Sequence, residues 1–138
     1  MFLKIKFAAV FALLPALAAG GCQTAGGTAP ATRVALAARP FKLVHVYFLN
    51  PDCTSGGRIE IQVTSPPAHG RVAIHPATGY TVYPKANPRS QCNDRPTRGV
   101  DVIYTPSRGY DGPDSVEFRG IGPDGSLHLH RYDVLVKQ

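Results

Sequence analysis

The chain has 138 residues, with 15 Lys and Arg against 9 Asp and Glu and a formal net charge of +6 at neutral pH. This length allows one domain, and a mildly basic balance suits both attraction to anionic envelope polymers and an ordinary soluble domain. The chain has no block of like charges and no basic motif interleaved with aromatic residues, so nucleic acid is excluded as an expected partner.

Residues 1–22 have the pattern of an export signal. Two lysines precede an apolar run over residues 7–19 that is too short to span a bilayer, and two glycines stand directly before Cys22. This segment resembles the lipobox of bacterial lipoproteins, in which a signal peptidase cuts before a cysteine that bears a diacylglycerol. The family's usual leucine is replaced by Ala19. The resemblance implies a signal peptide over residues 1–21 and lipidation at Cys22.

The lipobox resemblance also implies a location in the cell envelope, attached to a membrane through the lipid. Gln23 follows the cysteine, where enteric bacteria use aspartate to retain lipoproteins in the inner membrane. The periplasmic face of the outer membrane is therefore favoured over the inner membrane, while exposure at the cell surface stays open.

Cys53 and Cys92 are the two remaining cysteines. In an oxidising compartment we expect them to form a disulfide, which would stabilise a small domain. A metal site is disfavoured because neither cysteine has another cysteine or a histidine at ligand spacing, and a free reactive thiol is disfavoured by the compartment.

Residues 23–39 are mostly Ala, Gly, Thr and Pro. Such a composition buries too little apolar area to offset its ordering entropy, so residues 22–39 are predicted to be a flexible tether. Within it, residues 34–38 are compatible with a helical turn or an early strand. Residues 40–138 are predicted to form an all-β domain, because alternation of period two recurs between Gly and Pro and no long helical period is present.

Seven strands are predicted in this domain, at residues 41–49, 58–64, 72–74, 80–82, 100–104, 116–118 and 127–136. The clearest alternation places Ile59, Ile61 and Val63 inward and the polar residues between them outward. The third and fourth strands are expected to be joined by a turn over residues 75–79. In the last strand the apolar residues change parity, which predicts a β-bulge near His130 and Arg131. Seven strands at this spacing predict an immunoglobulin-like β-sandwich.

Two segments resemble the bacterial cadherin-like or immunoglobulin-like repeat. They are Ser65–Val72, which matches P-x-x-G-x-V, and Tyr104–Phe118, which matches Y-T-P-x-x-G-Y-x-G-x-D-S-F. The resemblance covers about residues 56–137. This chain has a single copy and lacks the acidic linkers of true cadherins, so calcium is not implied.

A structural role is expected for the turn motif within the second segment. Proline ends a strand, the two glycines permit a tight path, the tyrosine packs under the loop, and the aspartate, with Ser115, bonds backbone amides. The motif consists of Pro106, Gly109, Tyr110, Gly112 and Asp114.

Residues 85–99 have no counterpart in the repeat and contain Cys92. A loop of this length is often functional, and guanidinium groups match carboxylates and phosphates. The candidate partner-binding residues are Lys85, Arg89, Arg95 and Arg98. The alternative is a solvated, disulfide-stapled loop that keeps the domain soluble.

No catalytic residue, metal site or cofactor is predicted. The chain has no Gly-x-Ser-x-Gly elbow, no His-Glu-x-x-His and no acid and base carboxylate pair. His128 and His130 share a strand face if no bulge intervenes, but no third ligand is evident. Surface or half-buried histidines are the ordinary outcome for such a pair.

The function expected from these observations is a non-catalytic binding or structural module for another envelope protein or glycan, with the oligomeric state left open. One alternative is protease inhibition, because His75–Tyr80 is similar to the Asn-Pro-Thr-Thr-Gly-Tyr loop of chagasin-like cysteine-protease inhibitors, which also use an immunoglobulin-like sandwich. The chain lacks the tryptophan of that family's other wedge loop. A further alternative is a hydrolase of envelope polymers.

Overall fold

A computed structural model of the chain describes residues 32–138. The expected signal peptide, Cys22 and most of the expected tether lie outside these residues. Within the described part, no helix has the length and apolar character needed to cross a membrane.

Seven strands and one short 3₁₀ helix make up the described chain. The strands are β1 Arg33–Leu36, β2 Phe41–Val46, β3 Glu60–Ser65, β4 Gly70–Gly79, β5 Thr97–Pro106, β6 Gly112–Ile121 and β7 Leu127–Lys137, and the 3₁₀ helix Pro88–Cys92 lies between β4 and β5.

The strands form two sheets. One has the order β1-β7-β6-β3 and the other β2-β5-β4. In an immunoglobulin-like sandwich, the second, fourth and fifth strands form one sheet, which packs against a sheet that contains the third, sixth and seventh. The strands of this chain are divided in the same way, so the predicted fold class is confirmed. All strand pairings within the described residues are antiparallel except that of β1 with β7, which is parallel.

The core lies between the two sheets and is filled by alternate residues of the central strands. Each of its larger members is exposed by 2% or less: Leu43, Val102, Tyr104, Val116, Phe118, Val134 and Val136. Because successive side chains of a strand point to opposite faces, the even-numbered residues of β5, β6 and β7 supply most of this set.

The first strand lies where the sequence predicted a tether. Residues 33–36 pair with residues 134–137 of β7, and Ala35 is part of the buried core. The strand alternative for residues 34–38 is therefore the one adopted, and the folded domain begins before Pro40. The small side chain of Ala35 fits against β7, and pairing with β7 satisfies the backbone hydrogen-bonding groups of β1. The amino-acid composition of the segment does not predict this pairing.

The predicted bulge in the last strand is wrong. β6 and β7 pair without a register shift from Gly112 opposite Val136 to Ile121 opposite Leu127. Leu127 therefore stays on the outer face together with Leu129, and both are exposed. The register shifts instead in β3, between Val63 and Ser65, and in β2, between Lys42 and Val44. The shift in β2 turns successive apolar residues of that strand toward the core.

The predicted turn over residues 75–79 is also wrong. These residues continue β4, which pairs with β5 along its whole length from Gly70 opposite Pro106 to Gly79 opposite Thr97. Pro76 is tolerated because β4 is an edge strand, where a missing amide hydrogen leaves no broken ladder bond. The segment that resembled an inhibitor loop thus lies in a strand.

Candidate functional site

Three loops form one end of the sandwich, where β2, β4 and β6 end and β3, β5 and β7 begin. We call this end, comprising residues 47–59, 80–96 and 122–126, the disulfide pole. The predicted bridge between Cys53 and Cys92 is confirmed and joins the first of these loops to the 3₁₀ helix in the second. Cys92 is fully buried, so the bridge is shielded from solvent on that side.

Side-chain hydrogen bonds reinforce this junction. Arg89 Nε donates to the carbonyl oxygen of Leu49 at 2.8 Å, and Gln91 Nε2 donates to that of Pro51 at 3.0 Å. Asn87 caps the 3₁₀ helix by accepting the Arg89 amide hydrogen at 2.9 Å. Arg89 is half-buried, and its side chain joins the second loop of the pole to the first.

The four candidate partner-binding cations do not form one patch. Lys85 and Arg95 are exposed in the loop, whereas Arg98 lies in β5 and Arg89 is tied to Leu49. Arg89 and Arg98 line two separate cavities. The 3₁₀ helix and the early start of β5 separate residues that were read from the sequence as a single loop.

Arg98 borders a cavity of about 810 Å³ that we call the edge cleft. It opens between β3 and β4, the strands at the ends of their respective sheets on this side of the sandwich. Its lining combines apolar with charged side chains and includes Arg58, Ile59, Glu60, Ile61, Ile74, Pro76, Arg98, Val100 and Ile121. Arg98 has the parity of Val100 and Val102, which places it on the side of β5 that faces the other sheet.

The edge cleft suits a ligand with both apolar and anionic groups. Two guanidinium groups and one carboxylate belong to its lining, and arginine binds carboxylate or phosphate with two parallel hydrogen bonds. Within residues 32–138, β3 and β4 each have one edge without a strand partner. Unpaired edges offer backbone donors and acceptors to an extended segment.

A second cavity, of about 590 Å³, lies at the same pole and includes Arg89, His128 and His130 in its lining. Burial lowers the pKa of His130, and the neighbouring His128 lowers it further, which favours the neutral imidazole. The ring of His130 stacks on Phe118 with centroids 5.0 Å apart. Among residues 32–138, no three His, Cys, Asp or Glu side chains are grouped so that they could hold a metal ion.

The turn motif occupies the opposite end of the sandwich and centres on Asp114. Its carboxylate accepts hydrogen bonds from the Tyr104 hydroxyl at 2.7 Å and from the amides of Ala68, His69 and Ser115 at 2.9–3.0 Å. Burial acts to raise the pKa of Asp114, but these hydrogen bonds outweigh it and hold the pKa below its usual range. Burial and the same carboxylate raise the pKa of Tyr104.

Tyr110 completes this end of the domain. Its ring stacks on His69 with centroids 3.9 Å apart, and its hydroxyl donates to the Pro113 carbonyl oxygen at 2.6 Å. Gly109 and Gly112 both have positive φ, and Pro106 is the last residue of β5. The five residues of the motif thus connect the loop after β3 to the loop before β6, and none of them lines the edge cleft.

One buried polar cluster was missed by sequence reasoning. His45 Nδ1 lies 2.7 Å from Asp101 Oδ1, and Lys42 Nζ lies 3.3 Å from Asp101 Oδ2. The His45 side chain is only 8% exposed, and its ring lies against Gly79 and Gly99, where a Cβ atom would come within 3 Å of it. Burial acts to raise the pKa of Asp101, but the bonds from His45 and Lys42 lower it overall.

This cluster holds an imidazole and a carboxylate together but no nucleophile. The buried Nε2 atom of His45 has no hydrogen-bond partner among the described residues. Glycine within two neighbouring strands was the sequence signal for this close approach.

No protein-family profile matches the chain, and neither a curated protein nor a solved structure is significantly similar to it.

Proposed function

We propose that this chain is a lipid-anchored protein of the bacterial cell envelope, at the periplasmic face of the outer membrane, whose domain binds another envelope component without catalysis. The partner is an envelope protein or glycan, and the edge cleft is its binding site. The observation that carries the proposal is a cavity of about 810 Å³ that is lined by both apolar and charged side chains, Arg98 among them, and has an unpaired strand edge on either side.

The anchor is supported by the sequence at Cys22, which lies outside the described residues. Two glycines directly before this cysteine follow an apolar run and a basic start, as in a lipobox. Each buried CH₂ of an acyl chain contributes about 0.8 kcal/mol, so the several chains of a lipoprotein anchor hold a protein firmly to a membrane.

Binding in the edge cleft is supported by its chemistry. Ile59, Ile61 and Ile74 offer apolar contact area, and the exposed guanidinium of Arg98 can pair with a carboxylate or phosphate of the ligand. An extended peptide could also pair with the free edge of β4, which is ten residues long. Arg98 is therefore the binding residue we retain from the four candidates, whereas Arg89 serves the loop junction.

Capture from the source envelope tests this proposal. The mature protein, carrying a photo-crosslinker in the cleft, should retain a saturable partner from envelope extract or from isolated peptidoglycan. Arg98→Ala should weaken capture about tenfold, which corresponds to the loss of one good charged pair. Ile74→Glu should abolish capture of an anionic partner because it adds like charge to the cleft floor.

Matched controls separate binding from folding. Arg108→Ala removes an exposed arginine outside the cleft and should leave capture unchanged. Arg89→Ala should lower the melting temperature, because it deletes the bond to Leu49, yet leave the affinity of the folded fraction intact. Equal capture by all four variants would place the binding site elsewhere.

The anchor has its own test. Cys22→Ala should leave the protein uncleaved, or release it from membranes after cleavage, and metabolic labelling with a clickable fatty acid should mark only the unsubstituted protein. Full membrane retention of a cleaved Cys22→Ala protein would contradict lipidation.

A further inference from the structure

We propose that the disulfide pole lies against the membrane surface, with the exposed side chains of Tyr80, Val82, Leu127 and Leu129 seated among the lipid headgroups. This inference rests on the proposed lipid anchor at Cys22. It adds an interaction surface, made by the folded domain itself, whose partner is the bilayer interface.

The direction of β1 points to this pole. Because β1 runs parallel to β7, its N-terminal end faces the end of the sandwich at which β7 begins. β7 begins directly after the loop 122–126, which belongs to the disulfide pole. β1 lies beside the last four residues of β7, so the described chain starts partway along the sandwich, and only the direction of β1 points back toward the disulfide pole.

The length of the linking chain keeps the domain near the bilayer. Thr32 lies ten positions after Cys22 in the sequence, and ten residue steps span at most about 33–36 Å when fully extended. This reach is about the length of β7, which has 11 residues. The linker thus holds the domain within one domain length of the membrane, and the surface chemistry of the two poles selects the orientation.

Exposed apolar side chains are distributed unequally between the poles. Of the seven large hydrophobic residues that are exposed in the described chain, Tyr80 (63%), Val82 (82%), Leu127 (51%) and Leu129 (76%) lie at or next to the disulfide pole. Val34, Leu36 and Ile74 lie along strands. The described loops of the opposite pole, at residues 37–40, 66–69 and 107–111, contribute none.

The positions of the four side chains suit shallow insertion. Tyr80 and Val82 follow the end of β4, while Leu127 and Leu129 stand on the outer face of β7. They therefore flank the pole on its two sheets. Tyrosine has an apolar ring and a polar tip, which places it well at the level of the headgroups.

Charge plays the smaller part in this contact. Three exposed cations and three exposed carboxylates lie at the pole: Arg58, Lys85 and Arg95, and Asp52, Asp94 and Asp124. The balanced charges favour neither strong attraction nor repulsion by anionic headgroups. Apolar insertion should therefore dominate, and the contact should persist at high ionic strength, unlike a purely electrostatic one.

The absence of tryptophan from the whole sequence permits a direct test. The mature lipidated protein is reconstituted into vesicles of phosphatidylethanolamine and phosphatidylglycerol (3:1 by design) with or without brominated acyl chains, and a single tryptophan reports contact with bromine. Val82→Trp and Leu129→Trp should lose emission on the order of twofold in the brominated vesicles, because an interfacial side chain reaches the acyl boundary.

Two controls carry the same added ring elsewhere. Arg108→Trp is at the opposite pole, and Val34→Trp is an equally exposed apolar position on β1 that is away from the disulfide pole. Neither should be quenched. Hydrogen exchange on the unsubstituted protein gives a second measurement. It compares the vesicle-bound protein with a reference sample from which the lipid-bearing segment has been cleaved, kept in detergent-free solution. The amides of residues 80–83 and 127–129 should exchange more slowly in the vesicle-bound protein.

The outcomes separate the two proposals. Failure of the unsubstituted protein to float with the vesicles would overturn the lipid anchor, and the inference that depends on it. Flotation without quenching of Val82→Trp and Leu129→Trp, or with equal quenching of all four variants, would overturn the orientation while leaving the anchor intact. Selective quenching that survives 0.5 M salt, on the order of a 4 Å Debye length, would support the apolar contact.

Discussion

Removal of the Cys53–Cys92 bridge should cost this domain a large part of its stability. The two cysteines are 39 residues apart in sequence. In the chain-entropy description, closing a loop of that length in the unfolded state stabilises the folded state by about 4 kcal/mol. For a domain of this size each kcal/mol corresponds to about 4–8 °C, so Cys53→Ala with Cys92→Ala should lower the melting temperature by about 15–30 °C.

The remaining contacts at the junction should not compensate for this loss. The bonds of Arg89 to Leu49 and of Gln91 to Pro51 join the same two loops. Each contributes about 1 kcal/mol net, and they contribute only while the loops stay together. They do not constrain the unfolded chain, which is where the bridge acts. The variant should therefore still fold, with the same strands and a lower free energy of unfolding.

Thermal and urea unfolding, followed by circular dichroism, measure the effect on three samples: the oxidised protein, the protein under reductant and the double variant. The reduced protein and the double variant should agree, since both lack the loop constraint. A fall of less than about 5 °C in both would refute the entropic reasoning, because it would correspond to roughly 1 kcal/mol or less. A large fall in the double variant alone would assign the loss to altered packing around buried Cys92.

Three further predictions concern the fold. Asp114→Ala should lower the free energy of unfolding by about 3 kcal/mol at pH 7, because it removes the charged acceptor of the Tyr104 hydroxyl and of three backbone amides. Since the folded pKa of Asp114 is lowered, this contribution is complete above the unfolded pKa of about 3.9 and is lost as pH falls through the folded pKa. Gly99→Ala should cost about 1–3 kcal/mol, because the new Cβ would collide with the carbonyl of the adjacent strand and with the buried imidazole over it. Phe118→Ala should cost about 3–5 kcal/mol, whereas Leu129→Ser should change stability by less than about 0.5 kcal/mol.

Matched controls are available for each of these changes. Asp111→Ala removes an exposed ion pair with Lys137 and should change stability by less than about 1 kcal/mol, so a loss equal to that of Asp114→Ala would argue against the buried network. Gly120→Ala places a Cβ at ordinary contact distances in β6 and should be milder than Gly99→Ala. A severe loss in Leu129→Ser would indicate that the β6–β7 register described above is incorrect.

Features set by local alternation or by elimination could be predicted from sequence. Ile61 and Val63 face inward and Glu60 and Gln62 outward, because a strand with one solvated face shows its period directly. The disulfide followed from having two cysteines besides Cys22 and from the oxidising compartment that the export-signal pattern predicts. The two-sheet architecture followed from the number and spacing of the strands.

Features set by neighbours in the sheet could not be predicted. Residues 75–79 have turn-like composition, but pairing with β5 and an edge position allow proline and glycine within β4. The predicted bulge rested on the assumption that Leu127 and Leu129 are buried because they are apolar. Both are exposed, and apolar residues are common on protein surfaces. Ala35 reaches the core only because β7 lies beside it.

The candidate site was predictable only in part. Arg98 was identified, but its separation from Arg89 depends on β5 starting at Thr97, two residues before the expected end of the loop. The pairing of His45 with Asp101 joins residues 56 positions apart, and strand register alone brings them together. The spacing of residues along the sequence does not predict contacts that are set by strand register.

The parallel pairing of β1 with β7 has a mechanical consequence. If the chain is held at Cys22 while a bound partner pulls on the domain, tension enters through Thr32 and acts along β1. The four residue pairs from Arg33–Val134 to Leu36–Lys137 are then loaded together in shear, since the force runs along the strands and across their hydrogen bonds. Rupture requires the whole ladder to slide at once, so the junction between anchor and domain resists pulling better than a strand that can be peeled away pair by pair.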